Sequence, residues 1–228
     1  SSIIAAGIAT RFGEVRQDRC ERESATRQVK SCLQEIAKPR LAWLMGYFIY
    51  MTVINHIPYE FYQPFLRNLI SDTGEGLPTP AITGIHTALT MGAATIAATY
   101  SIRLRDRLGT SMTLLLAGVL QSAIIAGMAL MQSPVIAILL VLRSTPRGLM
   151  QAPLHAEVVP LIGENRRATY LSIQSLFGRL SFGAVLFGFS TVFSDNEIVA
   201  PIHVSATGAA VGLLLLTVAV PLSNRSAS

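Results

Sequence analysis

Arg143, Arg147 and Arg179 sit in stretches that are otherwise apolar. A guanidinium stays protonated and presents five N–H donors, so each must be met by carbonyls, water, a partner or an anionic ligand group such as a carboxylate or phosphate. Arg143 and Arg147 flank Pro146 in LRSTPRGLMQAP, residues 142–153, one helical turn apart on one face. Asn55, His56 and Glu60 form a second set in which imidazole and carboxyl stand at i, i+4. That pair could relay a proton, because His titrates near neutral pH and a desolvated Glu does too. Gln174, with His86, Gln121 and Ser175, adds uncharged groups that can face a solute or bond a neighbouring helix. The four histidines scatter and no HExxH or GxSxG motif appears, which speaks against an intramembrane hydrolase; no cofactor or metal is expected.

The elements that position these groups follow from composition. Hydrophobic residues make up 51% of the chain, charged residues 14%, and mean hydropathy is +0.49, against about 25% charged residues in a soluble domain. The chain is a membrane protein. Residues 1–10 read as the end of a truncated transmembrane helix and 11–40 as a basic linker. Six spans follow over 41–228, at 41–64, 80–102, 112–131, 134–162, 168–193 and 198–222. A helical bundle is expected, since the ten-residue alternation of a membrane barrel is absent. Within the linker, Val29, Leu33 and Ile36 mark the apolar face of a helix. Pro146, helped by Ser144, Thr145 and Gly148, should open the fourth span, with a second break at Pro153 and a bend at Pro58. Trp43, Tyr47 and Tyr50, and further on Tyr59, Phe61 and Tyr62, read as aromatic belts. Gly208 and Gly212, and Ala184 and Gly188, are small-residue pairs suited to close helix packing.

Fourteen Lys and Arg fall in the linker, the 103–107 and 163–167 loops and the tail, whereas the alternate loops hold only Arg67 beside Asp72, Glu75, Asp195 and Glu197. By the positive-inside rule the linker and C-terminus are cytoplasmic, and the site of residence is the cell membrane. Topology accounts for the net charge of +5, leaving no case for a nucleic-acid partner. Cys20 and Cys32 match no zinc or redox spacing, and the sequon at Asn224 faces the cytoplasm.

Counting along the spans, Arg143 lies roughly 13 Å from the outer boundary and Arg179 roughly 17 Å from the inner one, both near the middle of a core about 30 Å thick. Glu60 falls at the outer mouth and Glu157 at the inner one. No carboxylate shares the depth of the arginines, so partners elsewhere in the protein, an anionic substrate group and snorkelling all remain open.

Residues 103–110, RLRDRLGT, resemble the cytoplasmic loop signature of the major facilitator superfamily, G-x-x-x-D-R-x-G-R-[RK], in its copy between the eighth and ninth helices. Asp106, Arg107 and Gly109 match, while Ile102, Thr110 and Ser111 replace Gly, Arg and Arg or Lys. The order of helix end, basic linker and six spans is similar to the end of the sixth helix followed by the C-terminal half of such transporters. VPLIGENRRATYLSIQSLFGRL, with the arginine-bearing span before it, is similar to the tenth and eleventh helices. The resemblance implies an all-α six-helix bundle, half of a twelve-helix fold. It also implies secondary active transport of a small solute by alternating access, with a missing N-terminal half and membrane lipid as partners. Proton or other ion coupling through His56 and Glu60 is a further expectation, as is a latch in which Glu157 pairs with Arg105 or Arg107. An enzyme, or a non-transporting sensor or assembly subunit, is the alternative.

Overall fold

The computed structural model describes residues 25–71, 79–131, 136–193 and 199–224, which are helical apart from short joints and contain no strand. The expectations for residues 1–24, the acidic loops, Cys20 and the sequon lie outside the described residues. The helices are α1 (Ala25–Ile36), α2 (Pro39–Ser71), α3 (Thr79–Leu108), α4 (Thr110–Leu130), α5 (Ile136–Leu140), α6 (Thr145–Leu161), α7 (Arg167–Val192) and α8 (Val199–Asn224). A 3-10 turn, Val141–Ser144, joins α5 to α6, so α5, turn and α6 together make the expected fourth span. Thr110–Leu130, Glu164–Val192 and Val199–Ser223 are each long and apolar enough to cross a membrane unaided. Helices α2 and α3 are longer, at 33 and 30 residues, but carry more polar side chains.

The break at Val141–Ser144 follows from Pro146, the second residue of α6, where the ring lacks the N–H an uninterrupted helix would use. Pro153 does not break α6, contrary to expectation; the helix runs through it to Leu161. Pro153 is buried, and packed neighbours let a spanning helix absorb a missing backbone bond.

Helix α2 is the hub, packing on α4, α6, α7 and α8; α3 packs chiefly on α6, and α4 on α6 and α8. Leu44, Met51 and Ile54 of α2 meet Leu114, Ile124 and Met128 of α4 and Met150 and Leu154 of α6 in one buried core. The first three aromatics do not form a lipid-facing belt. Trp43 and Tyr47 are buried, Trp43 Nε1 donates to Leu216 O at 3.0 Å, and Tyr47 Oη donates to Leu114 O at 2.8 Å. Tyr50 Oη donates to Ala209 O at 2.8 Å, its ring lying against Gly212, where an added Cβ would come within 2.7 Å. Their rings pack like core residues while their polar tips anchor α2 to carbonyls of α4 and α8. Gly208 and Gly188 have open space beside them, so only Gly212 of the expected small pairs buys a close approach by lacking a side chain.

Helix α1 also differs from expectation. Cys32 is buried, whereas Val29 and Leu33 are 41% and 44% exposed. The side turned inward is held by polar contacts: Arg166 pairs with Glu35 and donates to Ser31 Oγ at 2.9 Å, and Gln28 Nε2 donates to Asn165 O at 3.1 Å. Burial, reinforced by the nearby Glu35 carboxylate and opposed by Arg166, pushes the Cys32 thiol above its usual value.

Candidate functional site

A close approach of two helix backbones builds the site. A Cβ on Gly148 would lie 2.4 Å from Ala94 O and 3.3 Å from Ala98 N, so α6 sits against α3 because Gly meets small residues there. That contact brings the 3-10 turn beside the first half of α3. Arg143, on the turn, is 4% exposed; its Nη1 donates to His86 Nδ1 at 2.8 Å and to Thr90 Oγ1 at 3.2 Å. Its Cζ stands 3.9 Å from the centroid of the Tyr62 ring, and Tyr62 in turn stacks on His86 at 5.6 Å. Since a guanidinium only donates, His86 Nδ1 must accept, which fixes the imidazole as the Nε2–H tautomer. The charge is therefore met within this chain by a ring nitrogen, a hydroxyl and an aromatic face. Nε of Arg143 and Oγ1 of Thr145 are buried without a hydrogen-bond partner among the described residues.

Beside this cluster opens a cavity of about 510 Å³ lined by α2, α3, the 3-10 turn, α6 and α7. Arg143, Arg147 and Arg179 all line it, so three arginines predicted at one depth converge on one space. Asn55, His56, Thr52, Ser144, Gln151 and Ser175 supply uncharged polar lining, and among the described residues no carboxylate lines it. Arg147 and Arg179 are exposed and have neither ion pair nor hydrogen bond among the described residues.

His56 Nδ1 donates to Thr52 O at 2.6 Å, leaving Nε2 as the ring's other polar atom, and the ring lies 4.7 Å from that of Phe182. Glu60 is exposed and outside the lining, and no hydrogen bond joins it to His56. The i, i+4 spacing gives neighbouring positions on α2, but the exposed carboxyl is not engaged. Gln174 is likewise outside the lining; it is buried with Nε2 unpartnered among the described residues, and Ser175 takes the cavity position. Gln121 Nε2 donates to Ile54 O at 3.1 Å, an interhelical bond. Among the described residues no three His, Cys, Asp or Glu cluster to hold a metal.

At the end of the bundle that carries the 103–107 loop, Glu157 is paired with neither Arg105 nor Arg107. Arg40 Nη2 and Nε donate to Glu157 Oε1 at 2.7 and 3.1 Å, Arg40 Nη1 donates to Ser111 Oγ at 2.9 Å, and Thr110 Oγ1 donates to Glu157 Oε2 at 2.9 Å. Arg40 also lies over Trp43 at 5.3 Å. Thr110 and Ser111 occupy the motif positions where cations are usual, and their hydroxyls complete this network. Arg105 pairs with its neighbour Asp106 at 2.8 Å, and Arg107 is exposed with no ion pair among the described residues. Gly109, the single residue between α3 and α4, has φ 81° and ψ 160°, a region essentially reserved for Gly. Arg40 and Thr90 were not singled out by sequence reasoning, and Tyr62, read as part of an aromatic belt, instead covers the Arg143 guanidinium. A cation one residue before an apolar run, three before Trp43, is the signal that could have marked Arg40.

An all-α bundle with helices long and apolar enough to cross a membrane, arranged around a cation-lined polar cavity, suits a membrane transporter, and the family match gives that class. The chain belongs to the Major Facilitator Superfamily, whose family model matches residues 2–186. Comparisons with curated proteins and with solved structures gave no match. Members of this family are transporters of small solutes, not enzymes.

Proposed function

We propose that this chain is the C-terminal six-helix half of a secondary active transporter that carries a small anionic solute across the cell membrane by alternating access. In this reading residues 11–40 link it to an N-terminal half, and the linker and C-terminus face the cytoplasm. The observation that carries the proposal is the cavity: three guanidinia and, among the described residues, no carboxylate around a space of about 510 Å³, within the range of small-molecule sites. Charges at membrane depth are rare enough to mark a transport path, and a helix interrupted at Pro146 suits such a site. The Arg40–Glu157–Thr110 network is the cytoplasmic latch, tying α2, α4 and α6 when that side is closed. His56 is the candidate for ion coupling, since its Nε2 is not used by the Thr52 bond.

Accessibility of the cavity tests the transport reading. Ser175→Cys, in full-length protein with Cys20→Ser and Cys32→Ala, is expected to react with a membrane-impermeant maleimide from one face of a vesicle at a time. A transported solute should shift the labelling between faces. Equal labelling from both faces at once, unmoved by any solute, would exclude alternating access through this cavity. For coupling, His56→Gln should flatten the pH dependence of uptake; an unchanged profile removes His56 from that role.

A further inference from the structure

Arg143, Arg147 and Arg179 line the same cavity, but they do not stand in the same state. Arg143 is buried and engaged by His86, Thr90 and the Tyr62 ring. Arg147 on α6 and Arg179 on α7 are exposed to the cavity and have no partner among the described residues. Helices α6 and α7 both pack on α2 but are not an extensively packed pair themselves, so the two free guanidinia face a shared space from separate walls. A monoanion neutralises one of them and leaves the other uncompensated at membrane depth, where an unmatched charge is expensive. A solute with two negative charges satisfies both, each through a charge-assisted and potentially bidentate contact.

We infer that the cavity takes an organic dianion, a dicarboxylate or a phosphate monoester, gripped between Arg147 and Arg179, and that Arg143 positions the cavity wall rather than gripping the solute. The inference rests on the anionic-transport reading and narrows its substrate class. Bridging two helices that share little surface also gives the bound solute a means of drawing α6 and α7 together, since a ligand shifts a conformational equilibrium only through contacts that differ between states.

Binding to full-length protein in detergent, at constant ionic strength, tests it with succinate, glycerol 3-phosphate, lactate, glycerol and choline as probes. Succinate or glycerol 3-phosphate is expected to bind about tenfold more tightly than lactate, and which of the two binds separates dicarboxylate from phosphate recognition. Arg147→Gln and Arg179→Gln should each abolish that preference, while Arg103→Gln, remote from the cavity, leaves it intact. Lactate binding as tightly as either dianion, with all anions lost in the two variants, would overturn the dianion inference and leave the anionic reading standing. Binding of choline or glycerol that neither variant alters would overturn both. A second measurement is independent of the choice of probe solute: Ser175→Cys, on the same cysteine background, should favour an anionic sulfonate thiosulfonate reagent over its quaternary ammonium counterpart once each rate is divided by that reagent's rate with a small free thiol. That normalised preference should fall in steps as Arg147 and then Arg179 become Gln; equal normalised rates in the parent protein would overturn the inference.

Discussion

Arginine is treated in opposite ways at the basic end of the bundle and in the cavity. At the basic end Arg40, Arg105, Arg166 and Arg167 each have a carboxylate within 4.0 Å. In the cavity Arg143 is held by uncharged groups, and Arg147 and Arg179 have no partner among the described residues. Ion pairs between exposed side chains contribute little individually, but the Arg40–Glu157 pair is more sheltered, with side-chain exposures of 13% and 30%, and it joins three helices. Among the described residues, Glu35, Asp106, Glu157 and Glu164 pair with arginines at the basic end, and no carboxylate meets the arginines of the cavity.

The largest effect that would break this contrast is expected from Gly148→Val. The branched side chain cannot fit against Ala94 O, so α3 and α6 must part, at a cost of about 3 kcal/mol in unfolding titrations; an unchanged midpoint would mean the close approach does not frame the site. Next comes Glu157→Ala, which leaves Arg40 half-sheltered without its carboxylate. A loss of about 2 kcal/mol is expected, and in a double-mutant cycle with Arg40→Gln the two changes should be non-additive. Additivity would reduce the network to independent surface charges. Arg147→Gln and Arg179→Gln lie on the other side of the contrast: stability should move by no more than about 0.5 kcal/mol, because neither has a partner among the described residues to lose. A large destabilisation of either would show it to be structural. The smallest effect is expected at α1, where Arg166→Ala removes the charge that opposes the upward shift of the Cys32 thiol, so alkylation of Cys32 at a fixed pH should slow and its pH profile should move up; an unmoved profile would mean Arg166 does not act on the thiol. In the parent protein the raised thiol pKa means that reaction should be slow at pH 8 and accelerate as pH climbs past the usual thiol value.

Much of the architecture was legible because bilayer thickness imposes a length on apolar runs, and Pro146 marks where one of them must yield. The shared depth of Arg143, Arg147 and Arg179 was legible by counting residues along helices. Their different states were not, since what distinguishes Arg143 is a side-chain cluster assembled from Tyr62, His86 and Thr90 on other helices. Glu157 found its partner 117 residues away at Arg40, a pairing that local spacing cannot reveal. Trp43, Tyr47 and Tyr50 were misread for a related reason: an amphipathic ring near a helix end suits a lipid interface and a carbonyl of a neighbouring helix equally well, and only tertiary packing chooses. Pro153 shows the same limit, because its missing backbone bond is absorbed by surrounding helices.

The joint at Gly109 has a consequence for how the protein is made. With one residue separating α3 from α4, and Arg103, Arg105 and Arg107 within the last turns of α3, the two helices form a tight hairpin whose tip carries those charges. The two should leave the translocon as a single helical hairpin, so the arginines at 103–107 act on the orientation of both helices at once during synthesis.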